Sequence, residues 1–336
     1  MPKLLTRILC VMLCAAAVFA TAGLLRADGF RQKQPQSPQP LPAPISPTAE
    51  PTQPVILPTE PLPQEPQVEI AFGQMPEDAW AAYPDGIRIE TIRKPNFLAH
   101  MMIIRDPSAV YLATSATRFS LNTLGGRLPT QMVKEGAIAA INAGAFNDDG
   151  SAGTHVGSLP FGMVISEGEI LWDDGRSYYG FVGMTQDDRL IVSETIDRQT
   201  VEALGIRDGC CFGPVLIKDG VANYEQVHAR SVADNINSRT AIGQLADGSV
   251  IFLCIDGRQC GSIGATYDDL LALMVEIGCV NACALDGGAS TVMTYKDTYG
   301  RYGTAGEVIT CSSYSLFQAA PRRMPTFFMV RPGEEG

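Results

Sequence analysis

Four stretches of this 336-residue chain combine polar side chains with glycine as a site for a sugar or an anion would require. The fullest is Cys279 to Tyr295, CVNACALDGGASTVMTY. An apolar run over Val280 to Leu285 predicts a short buried strand, which stops at Asp286, Gly287, Gly288, Ala289, Ser290 and Thr291. Adjacent glycines allow a positive-φ turn that residues with a Cβ avoid. Asp286, Ser290 and Thr291 can then converge on one small volume that backbone N–H groups also face. Taken alone, the same letters describe an ordinary strand end and tight turn.

The other three stretches repeat the layout of a strand ending in polar groups. Ala137 to Ile141 runs into Asn142-Ala143-Gly144, where an amide could donate to a sugar hydroxyl or phosphate oxygen, or simply satisfy a turn. Cys211 to Ile217 carries Gly213-Pro214, in isolation plain punctuation. Val250 to Ile255 ends at Asp256-Gly257-Arg258, an acid and a guanidinium together, and Arg239 stands in Asn237-Ser238-Arg239-Thr240 just before the preceding strand. Exposed arginines by default pair with surface acids. If Arg239 and Arg258 point into one pocket they form a planar clamp suited to phosphate. His155, in a polar loop, is a weaker candidate for the same pocket. Asp256, Asp286 and backbone carbonyls could hold Ca²⁺, since hard cations prefer oxygen, but no residue pattern fixes a metal. There is no G-x-S-x-G elbow, phosphate-binding P-loop or H-E-x-x-H helix.

These residues need elements to hold them. Ala265 to Ile277 places Leu270, Leu271, Leu273, Met274 and Ile277 at helical spacing, with Asp268-Asp269 in the first turn where acids suit the helix dipole. A helix between the Asp256 strand and the Asp286 strand makes a βαβ crossover that delivers both acids to one sheet edge. Further strands are predicted over Ile87 to Arg93, His100 to Arg105 and Val110 to Ala116, a short helix over Leu128 to Glu135, and hairpins turning at Glu167-Gly168, Asp187-Asp188 and Asp247-Gly248. Thr195 to Leu204 suits another short helix. The expected fold class is α+β or mixed α/β: one compact domain with a mixed β-sheet core flanked by helices.

Upstream, residues 1–33 look like a secretory signal or a single membrane anchor. Lys3 and Arg7 precede an uncharged apolar stretch from Ile8 to Leu25, and Ala20-Thr21-Ala22 offers a cleavage site. Both readings imply export, the second with attachment to the membrane. Residues 34–67 hold twelve of the 23 prolines, which suits an extended spacer on the order of 100 Å at ~3.1 Å per residue. Residues 68–336 form the globular domain. The chain's net charge is −11, and Lys3, Arg7, Arg26, Arg31 and Lys33 all lie outside that domain, so nucleic acid is not an expected partner. Seven cysteines remain beyond Cys10 and Cys14; none forms a C-x-x-C pair, and Cys254 and Cys260 could bridge or stay reduced.

The ordered set NAGAF, GPVLIKDG, NSRTAIGQ, DGR, GSIGATYDDLLALM and LDGGASTVM, closing with RRMPTFFMV, resembles the phosphodiester glycosidase family over about Thr123 to Val330. The resemblance implies an exported hydrolase that removes a sugar of the N-acetylglucosamine type from a glycosyl-1-phosphodiester in a cell-surface or extracellular glycopolymer. It places the family pattern on Asn142, Gly144, Gly213, Pro214, Arg239, Asp256, Arg258, Asp286, Gly287, Gly288, Ser290 and Thr291. The chemistry then assigns Asp286 and Asp256 as the carboxylates that stabilise or attack an oxocarbenium-like carbon or activate water, and Arg239 and Arg258 as phosphate ligands, with Asn142, Ser290 and Thr291 on hydroxyls. NAGAF lacks the second glycine that many relatives have, and Lys296 to Gln318 follows no family pattern. A noncatalytic glycopolymer binder and a glycosyl-transferring assembly protein are the rival readings.

Overall fold

The computed structural model describes residues 75–147, 157–229, 235–258, 261–296, 307–308 and 321–333. The chain divides into Met1–Gln64 and Glu65–Gly336; the expected signal or anchor and the whole of the proline spacer lie outside the described residues. Among the described residues no helix is long and apolar enough to cross a membrane.

In chain order, β1 (Ile87–Arg93), β2 (Leu98–Ile104) and β3 (Val110–Thr114) lead to α1 (Leu128–Lys134) and β4 (Ala139–Asn142). Two hairpins follow, β5 (Met163–Ser166) with β6 (Glu169–Asp173) and β7 (Phe181–Thr185) with β8 (Leu190–Ser193). Then come α2 (Arg198–Leu204), β9 (Ile206–Cys211), β10 (Val215–Lys218), β11 (Val221–Ala222) and α3 (Tyr224–Ala229). The last third holds β12 (Arg239–Leu245), β13 (Val250–Ile255), α4 (Tyr267–Ile277), β14 (Cys279–Leu285), β15 (Met293–Tyr295), β16 (Glu307–Val308) and β17 (Thr326–Val330).

The strands build a seven-stranded sheet, β1-β2-β13-β12-β14-β10-β11, and two five-stranded sheets, β16-β15-β4-β17-β3 and β6-β5-β9-β7-β8. One face of the large sheet packs on α4 and α3 through Ala241, Leu253, Leu270, Met274 and Val227. Its other face, through Met102, Ile242, Phe252 and Cys283, meets the inner faces of both smaller sheets. α1 and α2 cover the outer sides of those sheets with Leu128, Met132 and Val201. Because the large sheet is covered on both sides, β13 is apolar at every position, which is why such strands appear in the sequence as unbroken runs rather than alternations.

A sheet-rich domain flanked by helices is present, but the sheet mixture differs from the expectation. Every strand pair among the described residues is antiparallel. β13 and β14 do run parallel across the α4 crossover, yet β12 lies between them and pairs antiparallel with each. The predicted run Cys211 to Ile217 is likewise two strands, since Phe212-Gly213-Pro214 separates β9 from β10. Proline has no N–H to continue a ladder.

α4 has defined ends. The Thr266 hydroxyl accepts from Asp269 N–H while the Asp269 carboxylate accepts from Thr266 N–H, a reciprocal capping box. Gly278 closes the helix in the left-handed region at φ 93°. These stops fix the length of the crossover and hence where β14 begins.

Candidate active site

β13 and β14 end at the same edge of the large sheet, either side of the start of β12. Ile255 pairs with Arg239 and Leu285 with Thr240. The next residues out are Asp256 and Asp286, on strands whose axes are two spacings, about 10 Å, apart. Ser238, fully buried, sits between two Asp-Gly corners. A Cβ on Gly257 would lie 2.4 Å from Ser238 N, and one on Gly287 2.8 Å from Ser238 O. Only glycine lets both strand ends close so tightly on this residue. Gly288 N–H donates to Ser238 O at 2.9 Å, and the Ser238 hydroxyl donates to Gly288 O at 2.8 Å.

Asn142, at the end of β4, pins the Asp286 corner from the facing sheet. Its Nδ2 donates to Asp286 O at 2.6 Å. Its Oδ1 accepts from Thr240 Oγ1 at 3.0 Å and Val292 N at 3.1 Å. Asp286 N–H donates to Ala143 O at 3.1 Å. The Asn142 side chain is fully buried and donates from Nδ2 to Asp286 O, which fits the turn-satisfying role weighed for an Asn near Gly. Ser290 and Thr291 are also fully buried. Thr240 Oγ1 lies 3.3 Å from Thr291 Oγ1, and Arg322 Nη1 donates to Ser290 Oγ at 3.4 Å. These buried hydroxyls therefore have protein partners in Thr240 and Arg322 beside the Asp286 corner.

The acids differ in setting. Asp286 is half-buried, whereas Asp256 is buried with its Oδ2 3.2 Å from His100 Nε2. A buried carboxylate requires such a partner to offset its desolvation.

The two predicted arginines also differ. Arg258 is exposed and occupies the left-handed region at φ 58°, where a residue with a Cβ is strained. Arg239 is buried: its guanidinium lies 3.9 Å over the Tyr267 ring, Nε donates to Ala265 O at 3.0 Å and Nη2 donates to Asn235 O. The open fork expected of Arg239 is therefore partly committed to carbonyls on the α4 side of the sheet. A further guanidinium, Arg322, stacks 4.7 Å over Phe146 beside Ser290. Gly144 N–H donates to Thr326 Oγ1 at 3.0 Å, and a Cβ on Gly144 would lie 3.0 Å from Cys210 Cβ, so this glycine lets the ends of β4 and β9 meet. A Cβ on Gly213 would lie 2.2 Å from Tyr179 O, so this glycine lets the link between β9 and β10 close on the segment before β7.

His155 and Cys260 lie outside the described residues. Cys254, weighed as a bridge partner for Cys260, is a buried free thiol. Among the described residues no group of three or more His, Cys, Asp or Glu side chains is placed to hold a metal ion. His100 and Arg322 were not singled out from sequence. A lone histidine inside LAHMMII, and an arginine pair before the last strand, are the signals that point to them in hindsight.

Residues 135–331 match the family model described as phosphodiester glycosidase. The chain is 26% identical over 199 residues to the SPbeta prophage-derived uncharacterized protein YomE of Bacillus subtilis (strain 168), a match covering 58% of this chain and 28% of that protein. The chain thus spans under a third of that relative's length. Among solved structures it is similar to the catalytic domain of zebrafish N-acetylglucosamine-1-phosphodiester alpha-N-acetylglucosaminidase, auto-inhibited by its pro-peptide, with TM-score 0.55 and 18% identity over 74% of this chain and 82% of that one. It is also similar to a hypothetical protein from Synechocystis, with TM-score 0.51 and 17% identity over 73% and 62% of the two chains. These two likenesses establish a shared fold. With the family model covering more than half of its residues, the chain belongs to the phosphodiester glycosidase family.

Proposed function

We propose that this domain hydrolyses a glycosyl-1-phosphodiester, releasing a sugar of the N-acetylglucosamine type from a cell-surface or extracellular glycopolymer. The reading is supported above all by the two Asp-Gly corners at one sheet edge, whose glycines close on the Ser238 backbone and so bring the Asp256 and Asp286 positions to either side of it, with Arg258 exposed two residues beyond Asp256. The reaction breaks the bond between the anomeric carbon and the phosphate oxygen. Water supplies the hydroxyl of the freed sugar, and a phosphomonoester leaves.

A phosphate ester is a weakly basic leaving group, so neutralising its charge matters more than protonating it. Arg258 at the rim is suited to that task, with Arg322 behind the Asp286 turn adding positive potential. The carbon gains oxocarbenium character. Asp286, the more open acid, is suited to face it or to take the proton of the attacking water, with Asp256 as the second carboxylate of the pair. The N-terminal segment and proline spacer fit an exported domain held away from a membrane.

The test is incubation of the full chain with N-acetylglucosamine-1-phosphodiesters and with wall polymers, following free sugar and phosphomonoester. Release of both in equal amounts is the expected result. Binding without release would leave a noncatalytic binder, and appearance of the sugar on an added acceptor would identify a transferase.

A further inference from the structure

Asp256 is held by β2 at its amide and its carboxylate, and by Ser262 at its carbonyl. Its N–H donates to Leu98 O at 2.9 Å. Its carbonyl accepts from Ser262 Oγ at 2.6 Å, and that same hydroxyl oxygen accepts from Leu98 N–H at 3.0 Å. Its carboxylate meets His100 Nε2 at 3.2 Å. The β2–β13 ladder itself ends one residue earlier, at Ala99 and Ile255, so these contacts extend β2's grip onto the acid.

His100 is 7% exposed, and its Nδ1 is buried without a hydrogen-bond partner in the structure. Buried polar atoms are nearly always paired, and an ionised carboxylate can only accept. The proton therefore belongs on Nε2, where the carboxylate accepts it. In the same row across the sheet stand Cys254 and Thr240. Cys254 Sγ lies 3.9 Å from Thr240 Oγ1, which donates to Asn142. A run of buried polar contacts thus reaches from beside His100 to the Asn142 pin on Asp286. His100 also lies outside residues 135–331, the segment matched to the family model.

We propose that His100 is a positioning residue of the hydrolytic site: its imidazole, donating from Nε2, fixes the orientation of the Asp256 carboxylate, and β2 is thereby part of the active site. The proposal rests on the hydrolase reading, and its test separates the two. The full chain has only three histidines, so imidazole nitrogen NMR resolves them directly. The wild type is expected to show His100 as the Nε2–H tautomer with a slowly exchanging proton, and Asp256→Ala is expected to abolish that protection. An Nδ1–H tautomer, or a spectrum indifferent to Asp256→Ala, overturns the pairing whether or not the protein releases sugar.

On turnover, His100→Ala is expected to lower kcat about 10²-fold, the cost of a misplaced catalytic group, with KM changed less than about 3-fold if the loss falls on the transition state. His100→Gln, whose amide can donate to the same oxygen, should recover part of kcat. In an Asp256→Asn background His100→Ala should cost little more, since residues acting as a unit are not additive. A folded His100→Ala variant with wild-type kcat, or full additivity with Asp256→Asn, overturns the role. If the wild type releases no sugar, the hydrolase reading fails while the spectrum still decides the pairing.

Discussion

The side-chain amide of Asn142 donates to the main-chain carbonyl of Asp286 at 2.6 Å, tying the end of β4 in one sheet to the end of β14 in another. Because the Asn142 oxygen also accepts from Thr240 and Val292, one buried side chain sets the position of the corner that carries a candidate catalytic acid. Asn142→Asp keeps the shape but turns the donor into a second acceptor facing a carbonyl. It should cost about 2 kcal/mol or more of unfolding free energy, as unsatisfied buried groups do, and depress turnover. Denaturant unfolding alongside sugar release measures both.

The two glycines around Ser238 make a sharper prediction. Gly257→Ala and Gly287→Ala each drive a methyl against the Ser238 backbone. Each should destabilise by about 1–3 kcal/mol, the usual range for overpacking, with a loss of activity larger than the stability loss explains because each glycine adjoins an acid. Gly333→Ala, where nothing lies within 4 Å of the added carbon, should stay within about 0.5 kcal/mol of wild type.

Acid sensitivity should trace in part to Asp85. Burial raises its pKa, but hydrogen bonds from Lys296, Tyr295 and Ile87 N–H outweigh burial and hold it below the ordinary value. A carboxylate depressed in the folded state contributes stability above its unfolded pKa of about 3.9, and the contribution is lost as pH falls through the lower folded value. Melting temperatures recorded from about pH 5 down to pH 2 should therefore fall less steeply for Asp85→Asn than for wild type.

Four of the five described thiols should be inert in the native protein. Burial pushes Cys211 up to about 12 and raises Cys210, Cys254 and Cys279 as well, leaving almost no thiolate to react. Alkylation at pH 8 mapped by mass spectrometry should leave these four unmodified until denaturant is added.

Much of this architecture was legible in the sequence because it rests on local signals. The α4 repeat, its acidic first turn and the apolar runs on either side were enough to bring Asp256 and Asp286 to one sheet edge. What escaped depends on partners far along the chain. β9 reads Ile-Arg-Asp-Gly-Cys-Cys, without an apolar pattern, yet Asp208 is buried there against Arg207; burial raises the pKa of that acid, and the Arg207 charge opposes the rise. α3 has only Val227 buried, so its period leaves little trace. The settings of Asn142, Ser290 and Thr291 depend on distant partners in the same way. Residue type announces that a side chain can bond to a sugar, but not that Thr240, Val292 and Arg322 have already engaged it.

The most direct measurement of the central claim is the rate of sugar release from a glycosyl-1-phosphodiester by the wild type and by the Asp286→Asn and Asp256→Asn variants, each checked for native melting. Release by the wild type with kcat at least about 10²-fold lower in both variants is the predicted result. Folded variants that both keep wild-type turnover would contradict a site built on these two aspartates.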